Sequence, residues 1–270
     1  MSEAPAASPV LEVAGLCRSF GAVRAVDDVS FTLAAGGSLG IVGESGSGKT
    51  TTARIVVGLE QADEGRVLFR GQARTGRVRG RAERLARARE VQMVFQDPYL
   101  SLDPRTSVAT VLRETLRLHF PGGDHARRIK ELLDQVGLGT RAAEALPREL
   151  SGGQRQRVAI ARALAVEPAV MVLDEAVAAL DVSVQAQVLN LLDGIRAETG
   201  IGYLFITHDL GVVRCVTDRV VVMRHGRIVE AGATAEVLAA PQHPYTRLLL
   251  ESVPRPGWDP ERIAAARRAL

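Results

Sequence analysis

Two cysteines in 270 residues, Cys17 and Cys215, stand far apart and without metal-ligand spacing. That argues against a disulfide framework and a zinc site and fits a reducing cytoplasm. No apolar run approaches the roughly 18 to 20 residues that a helix needs to cross a bilayer, so any membrane role must come through a partner. The opening MSEAPAASPV has neither the charged nor the apolar region of a signal peptide and reads as a frayed tail over residues 1–10. Neither sign of charge dominates: 34 basic and 31 acidic residues leave a formal +3, too little to point to a nucleic-acid partner. What remains, 46% hydrophobic and 24% charged, is the composition of a globular chain with a sizeable core.

From Leu11 the chain alternates short apolar runs broken by glycine, a β-rich start that feeds a buried strand at Leu39 to Val42. TTARIVVGLE after Lys49 has helical spacing, and RVLFR reads as a strand ending at Gly71. Eight arginines fall between Arg70 and Arg89. The Ala, Leu and Glu interleaved with them in GRAERLARARE favour a solvated helix face over a phosphate-binding arm. From about 97 to 163 several amphipathic stretches separated by Pro and Gly carry almost no strand signal, which predicts a helical lobe inserted in an α/β core. VMVLDE, QAQVLNLLDGIRAET, YLFITHD and RVVVMRHGRIVEAG then alternate as a parallel sheet covered by helices would. From Thr234 one short helix and a Pro-rich end are expected.

Gly43, Glu44, Ser45, Gly46, Ser47, Gly48, Lys49 and Thr50, with Thr51 following, match the phosphate-binding pattern G-x-x-x-x-G-K-[ST] between a predicted strand and a predicted helix. Glycines let successive backbone N–H groups turn inward around phosphates, and the next helix points its positive end at them. Lys49 would reach the β and γ oxygens, and the Thr50 hydroxyl would serve Mg²⁺. A glycine-rich turn with a chance Lys-Thr is the bland alternative. Four apolar residues, Val170 to Leu173, weigh against it: they bring Asp174 and Glu175 to the carboxyl end of a buried strand, where open α/β sheets place ligands. Asp174 would hold Mg²⁺ through its water shell, and Glu175 would orient and deprotonate an attacking water.

Leu150, Ser151, Gly152, Gly153 and Gln154, continuing as RQRVAIARAL, resemble the signature motif of ATP-binding cassette proteins. Independently of that resemblance, Ser-Gly-Gly before an amphipathic helix makes a second helix N-terminus with bare N–H groups and a hydroxyl. The resemblance implies a P-loop, RecA-like α/β core with an antiparallel β portion and an inserted helical lobe, the cassette running over 11–253 and a tail over 254–270. It implies ATP and Mg²⁺ as ligands, two such cassettes closing head to tail, and Ser151, Gly152, Gly153 and Gln154 serving the ATP held by the opposite subunit. By the same resemblance, Gln96 in VFQDP reaches Mg²⁺ and the attacking water, and His208 in FITHD contacts the γ-phosphate across the dimer. Phe20 stacks on adenine, where the family often has Tyr, and Asp181 lies in the loop crossing the dimer interface. Ala178 stands where a Ser is common.

QDPYLSLDPR, LDEAVAALDVSVQAQVLNLL and QHPYTRLLLESVP resemble, more narrowly, the ATPase subunits of peptide and nickel importers. That implies transmembrane permease subunits, a same or related second ATPase, a solute-binding protein acting indirectly, and a peripheral place on the cytoplasmic face of the membrane. No cysteine follows Cys215, so the iron–sulfur site some relatives carry in the tail is not expected. DNA-repair or translation ATPases of this kind usually show two cassettes, a long coiled coil or zinc cysteines, none of which is seen. A catalytically weak clamp partner is disfavoured by intact Glu175 and Ser151-Gly152-Gly153.

Overall fold

The computed structural model of the chain describes residues 9–74, 80–97 and 102–252. The alternating start folds as two long antiparallel strands, β1 (Pro9–Phe20) and β2 (Val23–Ala34), whose inward residues Leu11, Val13, Leu16, Val26 and Val29 are buried. β3 (Ser38–Val42) leaves them for a second sheet. After α1 (Lys49–Val57), β4 (Glu64–Phe69) pairs with the free edge of β1 and the short β5 (Gln72–Ala73) with β4, giving a four-stranded antiparallel sheet ordered β2-β1-β4-β5.

The arginine-rich stretch becomes α2 (Arg81–Glu90), with no buried residue, as a solvated face requires; Arg77 and Arg79 lie outside the described residues. β6 (Val91–Val94) then enters the second sheet. Three helices follow without an intervening strand: α3 (Val108–His119), α4 (His125–Gln135) and α5 (Gly152–Leu164). β7 (Val170–Asp174), α6 (Val182–Thr199), β8 (Gly202–Thr207), α7 (Leu210–Val216) and β9 (Arg219–Arg224) return to strand and helix in alternation. β10 (Arg227–Ala233), α8 (Thr234–Ala239) and α9 (Pro244–Glu251) close the described chain.

The second sheet has the order β10-β9-β3-β8-β7-β6, and β9, β3, β8, β7 and β6 run parallel. β3, β7 and β8 are buried at every residue, which is why they read as unbroken apolar runs. Their side chains still alternate between faces. Met171, Leu173, Tyr203 and Phe205 join α3, α4, α5 and α6 in one core. Val170, Val172, Leu204 and Ile206 pack on the opposite face with α1 and the antiparallel sheet. α7, α8 and α9 cover the β9 end through Val213, Val237, Leu238 and Tyr245.

Two expectations are corrected. RVVVMRHGRIVEAG, expected to continue the parallel alternation, does so only through β9 and then turns back as an antiparallel hairpin, with Arg227 paired to Arg224. His225 and Gly226 both have positive φ, 48° and 81°, the conformation of a tight two-residue turn that leaves no room for a crossover helix. The stretch from Thr234 holds two helices rather than one, because Pro244 occupies the first turn of α9 and starts a helix within the Pro-rich end.

Candidate functional site

The loop of residues 43–48 joins β3 to α1 and is pressed between two other strands. A Cβ on Gly43 would lie 2.2 Å from the Met223 carbonyl oxygen of β9, and one on Gly48, at φ 102°, 2.3 Å from that of Ala25 in β2. Only glycine fits such an approach. The loop is also tied by hydrogen bonds. Gly226 N–H donates to the Ser47 carbonyl at 3.0 Å, and Ser47 N–H to the Glu44 carbonyl at 3.2 Å. Ser45 and Gly46 stay exposed at the tip, while Thr50 and Thr51, in the first turn of α1, are half-buried.

Lys49, 5% exposed, curls back along the inside of this loop. Its Nζ donates to the Gly43 and Glu44 carbonyls, each at 2.7 Å, and lies 3.4 Å from Ser47 Oγ. Burial lowers its pKa, and the charges of Glu175, Asp174 and Glu44 pull it back up. The chain has two lysines, Lys49 and Lys130, every other cationic side chain among the 34 being arginine. A compact ammonium is what such a narrow cradle admits.

Across from the loop, β7 ends in Asp174, 9% exposed, whose Oδ1 accepts the Thr50 hydroxyl at 3.4 Å. Burial raises the Asp174 pKa, and the neighbouring Glu175 charge raises it further. Glu175 sits in the left-handed region at φ 48°, and its N–H donates to the Ile206 carbonyl of β8 at 2.8 Å. A non-glycine residue there stores about 1–3 kcal/mol of strain. Its Oε1 lies 3.1 Å from Nδ1 of His208, one residue beyond β8. Gln96 stands exposed two residues beyond β6, the neighbour of β7. Lys49, Thr50, Asp174, Glu175, His208 and Gln96 therefore all follow the carboxyl ends of four adjacent parallel strands, β3, β8, β7 and β6.

Ser151, Gly152, Gly153 and Gln154 form a separate group. Ser151 caps α5: its Oγ accepts Gln154 N–H at 3.3 Å, and Gln154 Oε1 accepts Ser151 N–H at 2.9 Å. This capping box corrects the expectation of wholly bare N–H groups, since Gln154 N–H is taken and those of Gly152 and Gly153 are left. A Cβ on Gly153 would lie 2.4 Å from Cγ1 of Val184, so the glycine lets α5 approach α6 closely. Asp181 caps α6, its Oδ1 accepting Val184 N–H at 3.0 Å and Ser183 Oγ at 2.7 Å, bonds that hold its pKa below the usual carboxylate range. Ser151 and Gln154 bond each other and Asp181 bonds Ser183 and Val184, whereas Lys49 bonds the Gly43 and Glu44 carbonyls of the loop.

Phe20 ends β1, 46% exposed, with the Arg18 guanidinium 4.8 Å from its ring centroid. Glu60 and Asp63 brace that arginine through ion pairs of 2.8 and 2.6 Å. One residue near the loop was beyond sequence reasoning. The hydroxyl of Tyr245 in α9 accepts Glu44 N–H at 3.0 Å, a pairing that nothing in the loop's own pattern announces.

The donor set suits a hard cation: a buried carboxylate and a hydroxyl, beside a second carboxylate, with the Gln96 amide two residues past the adjoining strand. Burial and the adjacent Glu175 charge both disfavour the Asp174 carboxylate, which a cation would relieve. Among the described residues there is no cluster of three or more His, Cys, Asp or Glu that could hold a metal by itself, so the ligands of a bound ion would have to include substrate oxygens and water. No helix among the described residues is long and apolar enough to cross a membrane.

Residues 26–178 match the ABC transporter family, and residues 229–269 match the oligopeptide/dipeptide transporter C-terminal region. The chain is 46% identical over 260 residues to the oligopeptide transport ATP-binding protein OppF of Bacillus subtilis (strain 168), covering 94% of this chain and 85% of that one. It is 49% identical over 234 residues to the glutathione import ATP-binding protein GsiA of Escherichia coli (strain K12), of whose length it spans 37%. Among solved structures it is similar to cbiO1 of Clostridium perfringens, part of the ABC transporter complex cbiONQ, with a TM-score of 0.78 and 28% identity over 93% of this chain and 98% of that one. It also resembles the dimeric ATP-binding cassette MJ0796 in a post-hydrolysis state with ADP and Pi, with a TM-score of 0.73 and 28% identity over 83% of this chain and 98% of that one.

Proposed function

The chain belongs to the ABC transporter family and is an ATPase of that family, and from that premise we propose that it powers the import of peptides. The observation that carries the choice of solute is the match of residues 229–269 to the oligopeptide/dipeptide transporter C-terminal region. OppF and GsiA, named for oligopeptide transport and glutathione import, support it. Its partners are transmembrane permease subunits, a second cassette of the same or a related chain, and a solute-binding protein acting through the permease. The chain works peripherally at the cytoplasmic face of the membrane.

In this reading Gly43 to Thr51 cradle the ATP phosphates, Lys49 turns from the loop carbonyls to the β and γ oxygens, and Phe20 offers its open face to adenine. Thr50, Asp174 and Gln96 would hold Mg²⁺, which would supply charge neutralisation on the phosphates. Glu175 accepts the proton of the attacking water. His208, hydrogen-bonded to Glu175, steadies that carboxylate and reaches toward the γ-phosphate. Lys49, Thr50, Gln96, Asp174, Glu175 and His208 stand at the carboxyl end of one sheet, so the chain supplies position and charge rather than a covalent step. Ser151, Gly152, Gly153, Gln154 and Asp181 serve the ATP of the opposite cassette. Closure around two ATP molecules then pulls on the permease, and hydrolysis releases it.

Purification of the tagged chain from detergent-solubilised membranes tests this. Co-purification of hydrophobic permeases, followed by reconstitution in vesicles, is expected to give ATP-dependent uptake of labelled oligopeptides when the solute-binding protein is added. Uptake of a non-peptide solute in place of peptides would overturn the choice of solute.

A further inference from the structure

The loop at 43–48 is held from outside by the C-terminal helices. Across 201 residues of sequence, the Tyr245 hydroxyl accepts the Glu44 backbone N–H at 3.0 Å. Tyr245 is 2% exposed, packed with Val42, Leu210, Val213 and Val220, and the Arg224 guanidinium stands 5.0 Å from its ring centroid.

Local chemistry fixes this side chain. His243 caps α9, its Nδ1 accepting Tyr245 N–H at 3.1 Å, and Pro244 sets the first turn. Glu230 of β10 accepts the N–H groups of Gln242 at 2.8 Å and His243 at 3.1 Å, which pins the approach to the helix against the sheet. The hydroxyl is thus presented from a rigid base.

Both polar ends of Glu44's backbone are engaged. Its N–H meets Tyr245, while its carbonyl takes Lys49 Nζ and Ser47 N–H. The lysine is the partner that must turn when phosphate enters, and the tyrosine need not move. We propose that Tyr245 is a positioning residue for the phosphate loop: its hydroxyl fixes the Glu44 peptide, so nucleotide affinity depends on the docking of α9. This rests on reading residues 43–51 as the nucleotide site, and Tyr245 acts through the loop without touching nucleotide.

Tyr245→Phe removes the hydroxyl and keeps the ring. A hydroxyl that served only to dock α9 would affect melting and leave nucleotide affinity alone. The full chain, Tyr245→Phe, and Leu112→Val, a core change in α3 away from the loop, are titrated calorimetrically with Mg·ADP and melted without nucleotide. Tyr245→Phe is expected to bind Mg·ADP about 2- to 10-fold more weakly, the size of one net hydrogen bond, and to speed amide exchange at Glu44. Leu112→Val is expected to melt lower and bind Mg·ADP normally. Unmutated affinity in Tyr245→Phe, with the wild type binding, would overturn the proposal. Failure of the wild type to bind Mg·ADP would instead overturn the nucleotide reading beneath it.

Discussion

Nδ1 of His208 and Oε1 of Glu175 lie 3.1 Å apart at the ends of neighbouring parallel strands. The Glu175 backbone is bonded to β8 as well, through the Ile206 carbonyl. Histidine and carboxylate are therefore set by one strand pair, so the carboxylate's direction survives changes in the loops around it. In the proposed role as base, Glu175 would lose chemistry without losing position when its charge is removed.

Glu175→Gln keeps the size of the side chain and leaves Lys49, Thr50 and Asp174 in place, so Mg·ATP is expected to bind. Loss of the proton acceptor should slow hydrolysis about 10²- to 10⁴-fold. Phosphate release, measured beside gel filtration with Mg·ATP and any co-purifying partner cassette, should show slow turnover with accumulation of an ATP-bound dimer. Near-normal hydrolysis would remove Glu175 from this role.

Ser151→Arg places a long cation at the cap of α5, away from the chain's own loop. Hydrolysis by the pair should fall sharply, while equilibrium binding of Mg·ATP by the isolated chain stays within about twofold, about 0.4 kcal/mol. Collapsed monomer binding with intact dimerisation would contradict the assignment of Ser151 to the partner's nucleotide.

Asp174→Asn links stability to pH. Burial and the Glu175 charge raise the folded-state pKa of Asp174, so the fold favours its protonated form. That favourable contribution is present at low pH and lost as pH rises through the raised value. Asn mimics the neutral form at every pH. Without Mg²⁺ and nucleotide, the variant should melt above the unmutated chain at about pH 7, and the gap should close toward about pH 3, below the ordinary carboxylate range. Equal melting at neutral pH would show that Asp174 carries no burden there, whereas hydrolysis should still be lost.

Gly48→Ala tests the tight approach of the loop to β2. The substituted residue must hold φ 102° and place its Cβ 2.3 Å from the Ala25 carbonyl oxygen. Strain of this kind costs on the order of 1–3 kcal/mol before the clash is relieved. Thermal melting should fall, and Mg·ADP binding should weaken in the folded fraction. Unchanged melting would mean that the loop shifts freely.

The parallel strands were legible because burial on both faces leaves unbroken apolar runs, as in Val170 to Leu173 and Leu39 to Val42. The loop was legible because its backbone geometry restricts Gly43, Gly48 and Lys49 to very few residue types. The β9–β10 hairpin was not: its turn, His225-Gly226, lacks the usual Asn or Asp, and apolar strands look alike in either direction. Nor was the reach of Tyr245 to Glu44, which depends on α9 docking far from the loop in sequence. The capping box at Ser151 needed only the serine and the glutamine three residues on, and could have been read.

The single helix α5 packs against α3, α4, β6 and α6. Ser151 sits at its N-terminal tip. Thirteen residues make a rod roughly 20 Å long. If its far end is anchored in the sheet, a tilt of about 3° sweeps the serine by about 1 Å, a third of a hydrogen-bond length. Under the proposed pairing, a lever of this kind would turn a small push on α5 into making or breaking contact with the partner's phosphate, so the α5 pivot would set how finely the two cassettes are geared.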